Sequence, residues 1–154
     1  MNTLMKITAF FICVVILPSL VNAWEGKVVT VTSGDTITAL KEGQPITIRL
    51  AGLDCPENDQ PIGPEAKKFT IDLIANKTVK IWPAGTDQQG QTLAFIFIGN
   101  RNLNKELLSA GLAWHHKAYS RDPELAKLEF KARSKKIGLW SNPDPIAPWE
   151  WRRR

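Results

Sequence analysis

The chain contains very little cysteine, which limits how its fold can be stabilised. Only Cys13 and Cys55 occur among the 154 residues, and Cys13 lies in an apolar N-terminal stretch with the pattern of a removable segment. If that stretch is cleaved, one cysteine remains and no internal disulfide can form. The fold must then depend on an apolar core, for which a hydrophobic content of 44% is sufficient.

An apolar run long enough to span a membrane is also lacking. The stretch Ile7–Leu17 is shorter than the roughly 20 apolar residues that a transmembrane helix needs. Lys6 precedes it and Val21–Ala23 follows, which gives a charged start, an apolar centre and a small-x-small cleavage site. We therefore expect a signal peptide at residues 1–23, cleavage after Ala23, and a secreted or periplasmic protein. An uncleaved N-terminal anchor is the alternative.

Acidic residues are outnumbered by basic ones, so the chain has a net charge of +5 and a pI near 9.4. This balance is compatible with nucleic acid, acidic polysaccharide or an anionic membrane as a partner. Basicity does not choose between them. No internal repeat is visible, so the mature chain is expected to form one domain.

Five segments have the alternating or β-branched pattern of strands, and the first three are separated only by turns. They are residues 28–32, 35–40, 45–50, 78–82 and 92–98. Helices are predicted from Pro64, over Leu103–Ala110, and after the cap Asp122-Pro123. A meander followed by helices and two further strands predicts an α+β fold, mainly β: a five-stranded OB-fold barrel with about three helices. A βαβ fold is disfavoured, since no helix separates the first three strands.

Charged residues concentrate where the third predicted strand ends, in the stretch RLAGLDCPE. Arg49 points away from its apolar neighbours, and Asp54 and Glu57 follow the strand. Asp35 lies at the other end of the meander, so its carboxylate can converge with that of Asp54. Close carboxylates need a proton or a hard cation between them, and Ca²⁺ also accepts main-chain oxygens such as that of Cys55. Turn chemistry at the aspartates and a surface salt bridge between Arg49 and Glu57 are the alternatives.

Together these stretches resemble the staphylococcal-nuclease-like (thermonuclease-like) family, over residues 26–141. The matching segments are SGDTITAL, IRLAGLDCPE, QPIGPEAKKF, DQQGQTLAFIF, LNKELLSAGLAW and SKKIGLW. The resemblance implies an OB barrel that hydrolyses DNA and RNA with Ca²⁺. It implies the following roles: Asp35 and Asp54 as calcium carboxylates, the Cys55 carbonyl as a further ligand, Glu57 as the residue that activates water, and Arg49 as the residue that stabilises phosphate charge.

The chain departs from this family's pattern at one catalytic position. The family has a second arginine in a D-x-x-G-R segment, where this chain has Gln91. A glutamine carries no positive charge, and loss of one transition-state donor costs roughly 10²–10³ in rate. Slow turnover is therefore expected, with Arg101, Lys117 and Arg121 as candidate substitutes by composition.

Aromatic and basic residues outside this segment are candidates for substrate binding. The resemblance implies that Tyr119, with His116 or Lys117, contacts the nucleic acid. A metal site formed by His115 and His116 is disfavoured, because adjacent side chains point in different directions.

Residues 142–154, the C-terminal segment, contain three prolines, two tryptophans and three terminal arginines. Trp149 and Trp151 with Arg152–Arg154 can stack on bases and hold phosphates. A solvated tail without a core of its own is the preferred interpretation.

The sequence thus favours an exported, monomeric, calcium-dependent nuclease composed of a signal peptide (1–23), a nuclease-like barrel (24–141) and a tail (142–154). A nucleic-acid-binding OB module without turnover is the alternative. An exported OB module for another ligand would leave the acidic residues unexplained.

Overall fold

The computed structural model describes residues 22–154, so the predicted signal peptide lies outside the described residues except for its last two positions. The strands are β1 (Trp24–Val31), β2 (Thr36–Lys41), β3 (Gln44–Leu50), β4 (Leu53–Asp54), β5 (Thr78–Thr86), β6 (Thr92–Ile98), β7 (Arg101–Asn102) and β8 (Trp114–His115). The helices are α1 (Gly63–Ile74), α2 (Leu103–Ser109), α3 (Pro123–Ser134) and α4 (Pro148–Trp151), with a 3₁₀ turn at Gly138–Ser141.

The five long strands form a closed barrel. They are hydrogen-bonded in the order β3-β2-β1-β5-β6, with β7 beyond β6. Parallel pairing of β3 with β6, from Ile48 opposite Thr92 to Leu50 opposite Ala94, closes the sheet on itself. The α+β fold class and the OB-type barrel predicted from the sequence are therefore confirmed.

The period-two pattern of each strand determines which side chains form the core. On β2 and β3, Ile37, Ala39, Ile48 and Leu50 point inward and are almost completely buried. Arg49, between two of these residues, is carried on the other face of β3. The alternation that builds the barrel thus also positions one charged residue of the site.

The helices begin where their sequence signals predict. Pro64 occupies the first turn of α1, and the Asp122 side chain accepts hydrogen bonds from two main-chain N–H groups at the start of α3. Within residues 22–154, no helix has the length and apolar character needed to cross a bilayer.

The C-terminal segment does not lie free in solvent, which corrects the expectation of a solvated tail. Ala147 is 3% exposed, and the buried Gln60 donates from Nε2 to the main-chain oxygen of Ile146 at 2.7 Å. The chain bends at residues 142–144, and α4 begins at Pro148. The segment has no core of its own because it uses the surface of the barrel domain instead.

Asn104, on α2, joins the two strands that close the barrel. Its buried side chain accepts from Ile96 N at 3.1 Å and donates to Ala51 O at 2.9 Å and Ala94 O at 3.2 Å. Main-chain groups at the closure that lack a strand partner are therefore satisfied by one amide.

Asn104→Ala should lower the free energy of unfolding by about 2–5 kcal/mol, because it leaves a buried N–H and a buried carbonyl without partners. Urea denaturation monitored by tryptophan fluorescence measures the change. Asn100→Ala, in an exposed turn, is the matched control and should cost less than about 0.5 kcal/mol. Equal losses in the two variants would contradict this role for Asn104.

Candidate active site

Asp35 begins the site from the turn between β1 and β2. Its carboxylate is 5% exposed, and Oδ1 accepts from Ser33 Oγ at 2.7 Å and Thr36 Oγ1 at 3.2 Å. Oδ2 accepts from the main-chain N–H of Cys55 at 2.9 Å, which brings the two ends of the meander together as expected. Burial, followed by repulsion from Asp54, raises the pKa of the Asp35 carboxyl.

Asp54 lies one short turn after β3 and is more deeply buried, at 1% exposure. Gly52, at φ +78°, forms the turn, and β4 then pairs with β8 so that Asp54 is opposite Trp114. Arg49 reaches across the turn and donates from Nη2 to Asp54 Oδ1 at 2.9 Å. Arg49 therefore pairs with Asp54 rather than with Glu57, the partner in the surface-salt-bridge alternative.

Glu57 is held by a tight loop between β4 and α1. Its N–H donates to Gln60 Oε1 at 3.1 Å, and its carbonyl oxygen accepts from Gln60 N at 2.9 Å. Gly63 passes so close that an added Cβ would overlap the Glu57 carbonyl oxygen. The glycine at the start of α1 thus permits the close approach that fixes the backbone of Glu57.

Arg152, from the C-terminal segment, meets the same carboxylates. It donates from Nη2 to Asp54 Oδ2 at 2.7 Å and from Nη1 to Asp54 Oδ1 at 3.3 Å, and Nη1 also donates to Glu57 Oε1. The hydrogen bond to Asp54 raises the pKa of the Arg152 guanidinium. The sequence indicates that Arg152–Arg154 can hold phosphates, but it does not predict that Arg152 contacts these carboxylates.

A pocket of about 900 Å³ opens beside these residues, and Arg49 and Arg152 line it. The three predicted substrate-binding residues, His116, Lys117 and Tyr119, also line it. Tyr119 is 70% exposed, with its ring centroid 4.6 Å from that of His116. Burial lowers the pKa of His116, so its ring is held neutral more readily than a free imidazole.

Gln91 is near the pocket but takes little part in it. Its main-chain N–H donates to Asp87 Oδ1 at 2.8 Å and closes the turn between β5 and β6. Asp87, Gln88 and Gln89 line the pocket, whereas Gln91 is not among the lining residues. Gln91 therefore contributes no positive charge to the pocket wall.

The three candidate substitutes for that charge, Arg101, Lys117 and Arg121, differ in whether they line the pocket. Lys117 lines the pocket, with Nζ 3.6 Å from Glu129 Oε2. Arg101 pairs with Glu106 on α2, and neither Arg101 nor Arg121 lines the pocket. Of the three, only Lys117 lies where it can contact a ligand in this pocket.

The residues available for a metal ion are few. Among residues 22–154, no three or more His, Cys, Asp or Glu side chains are grouped so that they could hold a metal by themselves. His115 and His116 both line the pocket, but His115 is buried, with Nε2 3.2 Å from Ser120 Oγ. The Cys55 thiol is buried and its pKa is raised, first by burial and then by Asp35, so it offers no thiolate ligand.

Comparison with known proteins identifies similar sequences among nucleases and endonucleases. Residues 47–142 match the model of the staphylococcal nuclease homologues. An uncharacterized endonuclease of Haemophilus influenzae is 40% identical over 129 residues, which cover 83% of this chain and 72% of the relative. Protein ParB of Escherichia coli is 35% identical over 145 residues, covering 85% of this chain and 82% of its own length.

A plant relative matches a shorter part of this chain. The staphylococcal-like nuclease CAN1 of Arabidopsis thaliana is 39% identical over 106 residues, which are 69% of this chain and 33% of the plant protein. The match with the family model and the extent of the bacterial relatives agree with the barrel described above. The chain belongs to the family of staphylococcal nuclease homologues.

Proposed function

We propose that this protein is an exported, Ca²⁺-dependent nuclease that hydrolyses phosphodiester bonds of DNA or RNA. The observation that carries the proposal is that hydrogen bonds bring Asp35, Asp54 and Glu57 close to Arg49, which lines the open pocket. A metal-binding carboxylate pair, a carboxylate base and a guanidinium are the groups needed for metal-assisted attack on a phosphodiester. The names of the bacterial endonuclease and the plant nuclease support the same reaction class.

The donor set fits a hard divalent cation. Asp35 and Asp54 are two buried carboxylates whose repulsion contributes to the raised Asp35 pKa, and a cation between them would relieve it. Ca²⁺ accepts such carboxylates together with main-chain oxygens and waters, so the predicted Cys55 carbonyl and solvent would complete its ligands. When bound, the ion would supply Lewis-acid polarisation of a phosphate oxygen.

The protein's own groups would perform the remaining steps. Glu57 Oε1 accepts from Arg152, while Oε2 has no hydrogen-bond partner among the described residues and is free to take a proton from the attacking water. Arg49, 27% exposed and fixed by Asp54, would bind a non-bridging phosphate oxygen. Tyr119 and His116 would pack against the bases or sugars along the pocket.

The predicted signal peptide supports export. Lys6, Ile7–Leu17 and Val21–Ala23 form its three parts. Strand β1 begins at Trp24, directly after the predicted cleavage site, so removal of the preceding residues would leave the barrel complete. Because the chain has at most one cysteine after cleavage, folding in an oxidising compartment would need no disulfide.

N-terminal sequencing of the protein recovered from the periplasm or medium of an expressing bacterium should begin at Trp24. Ala23→Arg should block processing, because the cleavage site requires a small residue there. An intact Met1 on the wild-type protein in the membrane fraction would instead support the uncleaved anchor.

Glu57→Gln should reduce kcat on single-stranded DNA and RNA by about 10²–10⁴-fold, since it removes the proton acceptor while retaining the shape of the side chain. The assay follows product release at saturating Ca²⁺, with a chelator arm that should abolish turnover. Glu65→Gln, on the exposed first turn of α1, is the matched control and should retain activity.

Activity that is unaffected by Glu57→Gln or by the chelator would contradict the proposed mechanism. Binding that weakens steeply with salt, without any cleavage by the wild type at long times, would favour the nucleic-acid-binding alternative.

Asp35→Asn should raise the free energy of unfolding in the absence of divalent cations. The folded-state pKa of Asp35 is raised, so its ionised form destabilises the fold, and the penalty grows as the pH rises from the unfolded pKa to the folded pKa. The variant should gain less at acidic pH, where both states are protonated.

Ca²⁺ should raise the Tm of the wild type but not that of Asp35→Asn, because only the wild type retains both carboxylates. Thermal unfolding with and without Ca²⁺ measures this independently of catalysis. Asp144→Asn, an exposed control, should respond to Ca²⁺ as the wild type does. An equal Ca²⁺ response in Asp35→Asn would remove Asp35 from the cation site.

A further inference from the structure

The C-terminal segment is attached to the barrel domain by contacts that do not involve the active-site carboxylates. Gln60, 5% exposed, donates to Ile146 O at 2.7 Å, and Trp151 Nε1 donates to Asp59 Oδ1 at 3.2 Å. Ala147, between them, is buried. These contacts flank Arg152 on its N-terminal side and fix where its backbone lies.

An aromatic stack holds the same segment from the side of β8. The ring centroid of Trp149 lies 5.7 Å from that of Trp114 and 4.9 Å from that of His116. Trp114 packs in turn on Trp140 at 4.5 Å, and the Arg133 guanidinium lies over the Trp140 ring at 3.9 Å. The position of α4 is therefore set by packing, which would persist if a cation occupied the carboxylates.

The segment lines the pocket without filling it. Trp149, Arg152 and Arg153 form part of the wall, and about 900 Å³ remains open in front of them. This volume lies within the range of pockets that hold small ligands.

The charges of the site show what Arg152 contributes. Three carboxylates, Asp35, Asp54 and Glu57, meet two guanidinium groups, so the ionised site carries one net negative charge. A divalent cation would convert this to one net positive charge, which matches the single negative charge of a phosphodiester. Without Arg152, the cation-loaded site would be neutral and would not attract the anion.

We propose that Arg152 is the second phosphate-binding arginine of the active site and supplies the charge that Gln91 lacks. This inference rests on the proposed nuclease function. Arg152 and Arg49 share Asp54 as their anchor and face the same pocket, so the two guanidinium groups can bind different oxygens of one phosphate. Arg152 is a catalytic residue in this assignment, because its guanidinium contacts the reacting group.

The reaction can be written with every atom assigned. The oxygen of water forms a bond to phosphorus while Glu57 takes a proton from that water. The bond from phosphorus to the leaving oxygen breaks, and the leaving alkoxide takes a proton from solvent. Arg152 transfers no proton; its hydrogen bonds strengthen as negative charge accumulates on the phosphate oxygens in the transition state.

The first test is Arg152→Gln, assayed on single-stranded DNA at saturating Ca²⁺. The kcat should fall by about 10²–10³-fold, as for the loss of one transition-state donor, while Ca²⁺ still raises the Tm. Arg152→Lys should retain part of the activity, because it keeps the charge without the bidentate geometry. Arg101→Gln is the matched control: Arg101 also pairs with a glutamate but does not line the pocket, so kcat should not change.

The second test adds Gln91→Arg to the Arg152→Gln variant. A guanidinium at position 91, in the turn before β6, should recover kcat by at least tenfold, and a purely structural role for Arg152 would not give this rescue. Higher activity of Arg152→Gln than of the wild type would overturn the proposal and identify Arg152 as a blocking group. Loss of activity without rescue, accompanied by loss of the Ca²⁺-induced Tm shift, would also overturn it and assign Arg152 a structural role.

Failure of this inference can be distinguished from failure of the nuclease function. If the wild type cleaves and Glu57→Gln does not, while Arg152→Gln has unchanged kcat, only the role of Arg152 is wrong. If the wild type does not cleave and Ca²⁺ has no effect on its Tm, the proposed function itself fails, whatever Arg152 does.

Discussion

The carboxylate of Asp54 is almost completely buried, and two arginines from opposite ends of the chain meet on it. Arg49 reaches it from β3, and Arg152 reaches it from the C-terminal segment, at 2.9 Å and 2.7 Å respectively. A charge this far from water is tolerated only where partners offset its lost hydration. The ion pairs of Asp54 depend on three features: the turn after β3, the pairing of β4 with β8, and the docking of the C-terminal segment.

Asp35 is also buried, but within residues 22–154 it has no arginine partner to offset its lost hydration. Its partners are two hydroxyl groups and one main-chain N–H, all of them neutral, so burial and the nearby Asp54 charge still raise its pKa. The arginines are concentrated on one carboxylate, and the other is left short of positive charge. Under the proposed function, a divalent cation would meet Asp35 oxygens that no guanidinium of the described residues contacts.

Much of the fold and most of the barrel's site could be predicted from the sequence, because both depend on local patterns. Alternation along β3 places Ile48 and Leu50 inward and Arg49 on the other face, and Asp54 follows after one short turn. The convergence of Asp35 with the main chain of Cys55 could also be inferred, because β2 and β3 are adjacent in a meander. In these cases the distance along the chain between partners is short or spanned by one hairpin.

The role of the C-terminal segment could not be inferred in this way. Arg152 is 98 residues from Asp54, and Gln60 is 86 residues from Ile146, with no periodic pattern linking either pair. Prolines and arginines without an apolar stripe are typical of solvated tails. The segment is ordered here by a single buried amide, a tryptophan stack and the carboxylates, each of which is visible only once the barrel has formed.

The arrangement also changes what counts as the functional unit of this chain. An electrostatic field depends on where a charge lies and not on the element that carries it, so a long guanidinium side chain can serve a site from any backbone within reach. Residues 24–141 contain all three carboxylates and Arg49, whereas Arg152, the second arginine paired with Asp54, lies outside them. The barrel is therefore sufficient to define the fold, whereas Arg152, which offsets the charge of Asp54 and Glu57, belongs to the thirteen residues beyond the predicted boundary of the domain. A sequence position that has lost its charge, such as Gln91, can then be tolerated because the field at the pocket is restored from a distant part of the chain.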